Sequence, residues 1–175
     1  MTVIAGNAVT TQSISTVDHS IGVAMRAEIS RYLTPGEIEL SRSVFGDAID
    51  YSKVRVFKGK WWPFHPKGIA MAPTGDIWFH PVGGGWSDDF SAASLSDQGH
   101  FIHEMTHVWQ TQKRGRFYLP LMRHPFCRYD YQLTAGKPFE RYGIEQQAEI
   151  VRHRFMADRG GAVATVPPRA LLPFG

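Results

Sequence analysis

The sequence predicts an α+β fold in which a small antiparallel or mixed sheet packs on two long helices. Residues 51–59 (YSKVRVFKG) alternate between apolar and polar side chains, as a half-buried strand does. Residues 69–81 hold the turn sequence PTGD between two short apolar arms, which indicates a hairpin. Residues 94–112 and 144–161 space their apolar side chains at helical intervals without a proline, so each segment predicts a helix.

The sequence divides into an N-terminal arm, one domain and a C-terminal tail. Residues 1–30, rich in Thr, Ser, Ala and Gly, predict a loosely ordered arm with room for a short helix near 21–29. A domain over residues 31–160 and an extended tail over residues 161–175 follow. The domain begins with a helix-start signal, because Thr34 can cap, Pro35 suits the first helical position and Glu37 completes a capping box.

Two segments between the predicted strands and helices carry no regular pattern. The glycine-rich stretch VGGGWSDDFSAA, residues 82–93, lacks the Lys-Ser/Thr ending of a phosphate-binding loop and is interpreted as a flexible loop beside a cleft. Residues 117–143 contain three prolines and several aromatic residues, which favours irregular structure with short helical segments.

Composition excludes several functional classes. The 175 residues carry a net charge of +3 from scattered positive side chains, which gives nucleic-acid binding little support. The single cysteine, Cys127, excludes an internal disulfide and is interpreted as a half-buried thiol. The N-terminus lacks signal-peptide features, and no apolar run approaches the ~18 residues that span a bilayer. We therefore expect no membrane partner, and a cytoplasmic location or export by a route other than Sec.

The candidate metal-binding and catalytic residues lie mainly in residues 99–112, GHFIHEMTHVWQTQ. On a helix, His103 and His107 lie one turn apart on one face and can present imidazole nitrogens to one metal ion. Glu104 projects about 100° from His103, where it can accept a proton from metal-bound water. Met105 and Trp109 supply a core-facing side. A pattern this short also arises by chance on amphipathic helices, so alone it leaves metal site and coincidence open.

A third ligand is available on the last predicted helix. Glu145 and Glu149 are four residues apart and share a face, where two carboxylates repel each other unless a cation or a donor lies nearby. Glu145 can bind the metal, and Glu149 can accept a hydrogen bond from a ligating histidine. A solvated acidic face balanced by Arg152 and His153 is the alternative for the pair alone; together with the histidine pair, the metal interpretation is favoured.

HEMTH, followed after 37 intervening residues by EQQAE, resembles the gluzincin class of zinc metallopeptidases, such as the thermolysin-like and Ste24-like enzymes. The resemblance implies a zincin-like fold and one Zn²⁺ held by His103, His107 and Glu145. It also implies Glu104 as general base and Glu149 as the partner of a ligating histidine. The sequence departs from the larger peptidases at Glu149, where those mostly have Asp.

HEMTHVWQ and LTPGEIELSRSVFG together resemble small zincin-type domains of bacteria. Such domains are encoded beside contractile injection and type VI secretion machines and include Vgr-related proteins. This resemblance covers roughly residues 33–158 and implies secretion-apparatus proteins as partners.

The zincin resemblance also implies a strand that pairs with an extended substrate, and a donor to the oxyanion. Residues 75–81 (GDIWFHP) are the expected edge strand, with an ordinary core strand as the alternative. We expect Tyr131 to be the catalytic oxyanion donor, with His153 behind it. The other candidates are Tyr129 and Tyr142.

The remaining histidines are interpreted as surface or structural residues. His100 lies near the ligand face in the first turn of its helix, and the others carry no ligand spacing: His19, His65, His80 and His124.

The sequence thus predicts a zinc-dependent hydrolase, foremost a metallopeptidase acting on a peptide or protein. A non-peptide hydrolase such as an amidase would use the same centre. The alternative from another class is a zincin-fold accessory or binding module of a bacterial secretion apparatus, with a structural or vestigial metal site. Retention of Glu104 favours catalysis, because a structural site has no use for a base.

Overall fold

The computed structural model describes residues 27–123 and 127–174. Its secondary structure is mixed, with four strands, four α-helices and several single 3₁₀ turns within those residues. The strands are β1 (Ala27–Tyr32), β2 (Arg55–Gly59), β3 (Ala70–Met71) and β4 (Ile77–Phe79). The helices are α1 (Pro35–Phe45), α2 (Leu95–Arg114), α3 (Tyr118–Met122) and α4 (Ile144–Asp158). The α+β prediction is confirmed.

The four strands form one mixed sheet in the order β1-β2-β4-β3. Strands β1 and β2 are antiparallel, β2 and β4 are parallel, and β3 and β4 form the predicted hairpin. The prediction that residues 75–81 provide an edge strand is wrong, because β4 lies between β2 and β3 and all three of its residues are buried. The alternative interpretation, a core strand, is confirmed.

The N-terminal boundary also differs from the prediction. Residues 1–26 of the expected arm, with His19, lie outside the described residues, as does His124. Residues 27–30 belong to β1, which pairs with β2, so the end of the arm and of the short helix expected near 21–29 is a strand instead.

Helix α1 starts as its sequence predicts, and its Glu37 side chain bonds to residues before and after the helix. The Thr34 hydroxyl accepts the Glu37 N–H, and the Glu37 side chain accepts the Thr34 N–H, which completes the capping box. Glu37 is fully buried, accepts the backbone N–H of Phe90 and forms a two-bond pair with Arg31 of β1. One carboxylate therefore joins the sheet, α1 and the segment leading into α2.

The core joins the sheet to the long helices through aromatic rings. Phe90 stacks between Phe79 of β4 and Phe101 of α2, with ring centroids 4.9 Å apart in both pairs. Helix α2 packs against α4, and every residue from Phe101 to Thr111 is buried. Gly99 permits the close approach of the two helices, since a Cβ there would lie 2.9 Å from the Met156 sulfur. This packing fixes the relative position of α2 and α4.

The C-terminal segment, predicted as an extended tail, packs against the core through Phe174. The Phe174 ring contacts Phe45 of α1 and Trp109 of α2 edge to face, with ring centroids 4.8 and 5.0 Å apart. A short 3₁₀ turn at Arg169–Leu171 precedes it. The end of the described chain therefore covers the side of α2 that carries Trp109.

Candidate metal centre

Helices α2 and α4 bring three potential ligands together at their interface. His103 Nε2 and His107 Nε2 lie 3.3 and 3.1 Å from the same Glu145 oxygen, Oε2. Within the described residues these three form the cluster with metal-binding geometry, its ligand atoms within 4.8 Å of one another. All three side chains are buried. Two histidines one turn apart on α2 converge on a glutamate in the first turn of α4, as the sequence predicts.

The distances suit a tetrahedral metal ion. Zinc binds imidazole nitrogen and carboxylate oxygen at ~2.0–2.2 Å, so neighbouring ligand atoms of a tetrahedral site lie roughly 3.3–3.5 Å apart. The nitrogen–oxygen distances at Glu145 differ from that value by a few tenths of an ångström or less. Three protein ligands also leave a fourth position open, as in catalytic zinc sites. The residues present therefore fit a zinc ion.

Without a metal, mutual contacts perturb the acid–base behaviour of the cluster. Burial lowers the pKa of His103, but its hydrogen bonds to Glu145 and Glu149 outweigh burial and raise that pKa to about 9. Burial raises the pKa of Glu145, yet the contacts with His103 and His107 hold it well below its usual range. Because ligands bind zinc unprotonated, the ion would take the place of a proton shared by these groups.

His103 is oriented by a chain of partners on α4. Its Nδ1 lies 2.8 Å from Glu149 Oε1, and the other Glu149 oxygen lies 3.2 Å from His153 Nε2. His153 Nδ1 is in turn 2.7 Å from the Tyr131 hydroxyl, and Arg152 also contacts Glu149, at 3.3 Å. The predicted role of Glu149 beside a ligating histidine is matched by this geometry, and the longer side chain reaches its target.

The other two ligands have partners of different charge. His107 Nδ1 lies 2.8 Å from the side-chain oxygen of Gln110, a neutral amide. Glu145 Oε1, which points away from the histidines, lies 3.1 Å from Arg123 Nη2. The guanidinium is off the hydrogen-bond direction, so this contact is an ion pair rather than an aligned hydrogen bond. Each ligand thus meets a separate partner on its outer side.

Glu104 has one carboxylate oxygen without a hydrogen-bond partner and no ion pair among the described residues. Its side chain is only 3% exposed, and its Oε2 has no hydrogen-bond partner among the residues that the structure describes. A buried carboxylate oxygen left unpaired is costly, and a catalytic role or a bound ion or water accounts for such a group. Its position next to His103 in sequence and its free oxygen are what a base beside a metal centre requires.

Comparisons with known proteins place the chain in a family. No protein-family model matches the chain. Over 137 residues it is 44% identical to the type VI secretion system spike protein VgrG2b of Pseudomonas aeruginosa, spanning 74% of this chain and 13% of that protein. A solved structure of the effector domain of P. aeruginosa VgrG2b matches with a TM-score of 0.65 and 42% identity, covering 77% of this chain and 78% of that domain. The chain belongs to the VgrG2b effector-domain family.

This family assignment confirms the predicted resemblance to Vgr-related domains. The chain corresponds to 13% of the length of the spike protein, so the comparison concerns the effector domain and not the rest of VgrG2b. Neither comparison tests the zincin assignment, which stays a prediction. No helix in the described part of this VgrG2b effector-domain relative is long and apolar enough to cross a membrane.

The three tyrosine candidates lie in different surroundings in this chain. Tyr131 reaches the cluster only through His153 and Glu149, and its catalytic role stays a prediction. Tyr129 stacks over the His103 ring at 6.1 Å between centroids, and its hydroxyl lies 3.5 Å from Arg123. Tyr142 is buried, and its hydroxyl accepts a hydrogen bond from the backbone of Thr134. Tyr129 therefore has the closest contacts with the centre.

The other predicted histidines have structural surroundings in the described chain. His65 and His80 are buried and bind backbone groups within their own loops. His100 is half-buried rather than on the surface, with its ring 6.3 Å from that of His103, and burial lowers its pKa. None of the three belongs to the ligand cluster.

A cavity of about 250 Å³ opens beside Glu145. The first turn of α4 forms one wall, and Met122 and the half-buried Cys127 form another, with Arg128 at the rim. Sequence reasoning missed this cavity and two residues of the centre, Gln110 and Arg123. Gln110 lies three residues after His107 on the same helix, and this spacing is a signal that could have revealed it.

Proposed function

We propose that this chain is an effector domain of a type VI secretion spike-related protein and a zinc-dependent hydrolase. A metallopeptidase of the zincin class and gluzincin type is the form that the residues support best. Membership of the VgrG2b effector-domain family supports the secretion role, together with export by a route other than Sec. The observation that carries the hydrolase proposal is the unpaired, buried Glu104 carboxylate beside three zinc-compatible ligands.

In this proposal His103, His107 and Glu145 hold one Zn²⁺. When bound, the ion would supply Lewis acidity, which polarises a substrate carbonyl and acidifies a water molecule. Glu104 would accept a proton from the attacking water at Oε2 and deliver it to the leaving amine, since this oxygen has no hydrogen-bond partner among the described residues. Burial of the centre excludes bulk water and strengthens the electrostatic contacts of Glu104.

The contacts favour Tyr129 over Tyr131 as the donor to the developing oxyanion. The Tyr129 ring covers His103, half of the side chain is exposed, and its hydroxyl lies beside Arg123. The Tyr131 hydroxyl is engaged with His153, which suits a role in holding Glu149. A peptide or protein substrate would lie across the exposed side of Tyr129.

The second candidate is an accessory or binding module of the secretion apparatus, with a structural or vestigial metal site. The family comparison favours it directly, since the matched protein is named for its place in a secretion spike. The two candidates differ at Glu104. A structural site gains nothing from an unpaired buried carboxylate, whereas a hydrolase needs one.

Metal analysis combined with a peptide-library cleavage assay tests the proposal. The parent should hold about one Zn²⁺ per chain, and the double variant His103→Ala/His107→Ala should lose it. Glu104→Gln should keep the zinc and lose hydrolysis, because the amide cannot accept the proton. Zinc retained at full stoichiometry by the double alanine variant would disprove the ligand assignment. Zinc binding without hydrolysis of any peptide by the parent would favour the accessory module.

A further inference from the structure

Gln110 contacts two parts of the metal centre at once. It lies on α2, and its side chain is almost completely buried, with 1% exposed. Its Oε1 is 2.8 Å from His107 Nδ1, while its Nε2 donates to the Ile144 carbonyl at 3.0 Å and to Gln147 Oε1 at 2.9 Å. All the hydrogen-bonding capacity of the amide nitrogen is used within the protein interior.

The neighbours of Gln110 fix which way its amide points. The Ile144 carbonyl is only an acceptor, so the group facing it must be the amide nitrogen. Gln147 has its own nitrogen engaged with the Tyr142 carbonyl at 2.8 Å, so it presents its oxygen to Gln110. The Gln110 oxygen is therefore directed at His107, with no alternative amide orientation that keeps these bonds.

This orientation determines the chemistry of the His107 ring. An amide oxygen accepts a proton and cannot donate one, so His107 Nδ1 must carry the hydrogen of the 2.8 Å bond. With Nδ1 donating to Gln110, Nε2 is the imidazole nitrogen that can offer a lone pair to a metal ion placed between His107 and Glu145. The same amide also holds the carbonyl of Ile144, the residue immediately before Glu145. One side chain thus acts on two ligands.

We propose that Gln110 is a positioning residue of the metal centre. It fixes the His107 ring so that Nε2 is the ligand atom, and it fixes the first turn of α4 so that Glu145 meets the same ion. The inference rests on the proposed metal binding and extends it to a residue that touches no metal itself. The competing explanation is a buried amide that joins α2 to α4 and has no specific effect on metal binding.

A matched pair of variants separates the two explanations. Gln110→Met keeps the side-chain length but removes the acceptor for His107 and the donor to Ile144. Gln147→Met removes one buried amide bond between the same helices and one to the Tyr142 carbonyl, yet it leaves both of those Gln110 bonds in place. Zinc dissociation constants are measured by chelator competition at fixed pH, and far-UV circular dichroism with urea unfolding checks the fold of each variant.

A positioning role predicts zinc binding weaker by about 10–100-fold in Gln110→Met, the usual effect of removing a partner of a ligating histidine. Gln147→Met should change the dissociation constant by less than about threefold. The visible absorption of the Co²⁺-substituted protein should change in Gln110→Met only, because the ligand geometry is altered. Equal losses in the two variants, or an unchanged constant and spectrum in Gln110→Met, would overturn the role of Gln110.

A measurement on the parent protein covers the case in which Gln110→Met does not fold. Nitrogen-edited NMR of the ¹⁵N-labelled, zinc-loaded chain should show the His107 hydrogen on Nδ1, close to the Gln110 side chain and protected from exchange. A hydrogen on Nε2 would exclude the role. A parent that binds no zinc overturns both this inference and the proposed function, whereas zinc binding with either negative result overturns this inference alone.

Discussion

Substitutions of Glu149 test how the His103 ring is held in place. Its Oε1 lies 2.8 Å from His103 Nδ1, and the carboxylate is anchored by His153 and Arg152 at 3.2 and 3.3 Å. Glu149→Gln keeps the length and an acceptor oxygen but removes the charge. Glu149→Asp keeps the charge but withdraws the carboxylate by about 1.5 Å, one C–C bond. The two variants therefore separate charge from reach.

The expected losses follow from these distances. Partners of ligating histidines contribute roughly 10–100-fold in metal affinity, or about 1.4–2.7 kcal/mol. Glu149→Gln should fall near the lower limit, because the amide oxygen can still accept from His103. Glu149→Asp should fall near the upper limit, because 2.8 Å plus the lost reach exceeds hydrogen-bonding distance. Chelator competition for zinc at constant pH measures both values.

Glu39→Gln is the matched control, since Glu39 is an exposed glutamate on α1 and its substitution should leave the zinc affinity unchanged. Zinc binding by Glu149→Asp as tight as in the parent would refute the reasoning. That result would mean that α4 shifts to follow the shorter side chain. It would also mean that the length of the Glu149 side chain is not needed to hold His103.

Two further predictions concern stability, each measured by urea unfolding monitored by circular dichroism. Glu37→Leu should lower the free energy of unfolding by about 3–5 kcal/mol, because Arg31 and the Phe90 N–H both lose their shared buried partner; a loss below about 1 kcal/mol would contradict this role. Phe155→Ala should also lower it by about 3–5 kcal/mol, since the ring is 2% exposed and its removal leaves a cavity in the core. Leu121→Ala is the control for the second change, because Leu121 is 83% exposed and should cost little.

Local signals in the sequence predicted the helices and two of the three side chains that the structure brings together. The capping box at Thr34 and Glu37 and the glycine stop after α2 act within a few residues, so they can be recognised without the fold. The spacing of four between His103 and His107 is likewise a local property of a helix. The third member of the cluster, Glu145, could be found because Glu145 and Glu149 are four residues apart and share one face of a helix.

Features that depend on distant partners were missed. Strand β1 lies at the sheet edge, and Ile29 and Tyr32 are exposed, so no alternating pattern of burial marks it in the sequence. Strand β4 lies inside the sheet because it pairs in parallel with β2. In sequence, β3 stands between these two strands and forms a hairpin with β4. The alternation in β2 is a local signal, whereas the identity of an exposed edge strand and the order of strands in a sheet are decided by packing.

His103 and Glu145 each contact a residue of opposite charge on the side that faces away from the cluster. The anionic Glu149 stands behind the N–H of His103, and the cationic Arg123 stands behind the carboxylate of Glu145. Each partner has the sign that holds its ligand in the form that binds zinc. A site that only stabilised the fold would be complete with these contacts. Glu104 has no such partner, and its unpaired oxygen remains buried at the cost of stability. Glu145 Oε1 also lacks a hydrogen bond, but it has the ion pair with Arg123, whereas Glu104 has no ion pair among the described residues. This difference supports a base that acts on a substrate, and it is the strongest reason to test for hydrolysis.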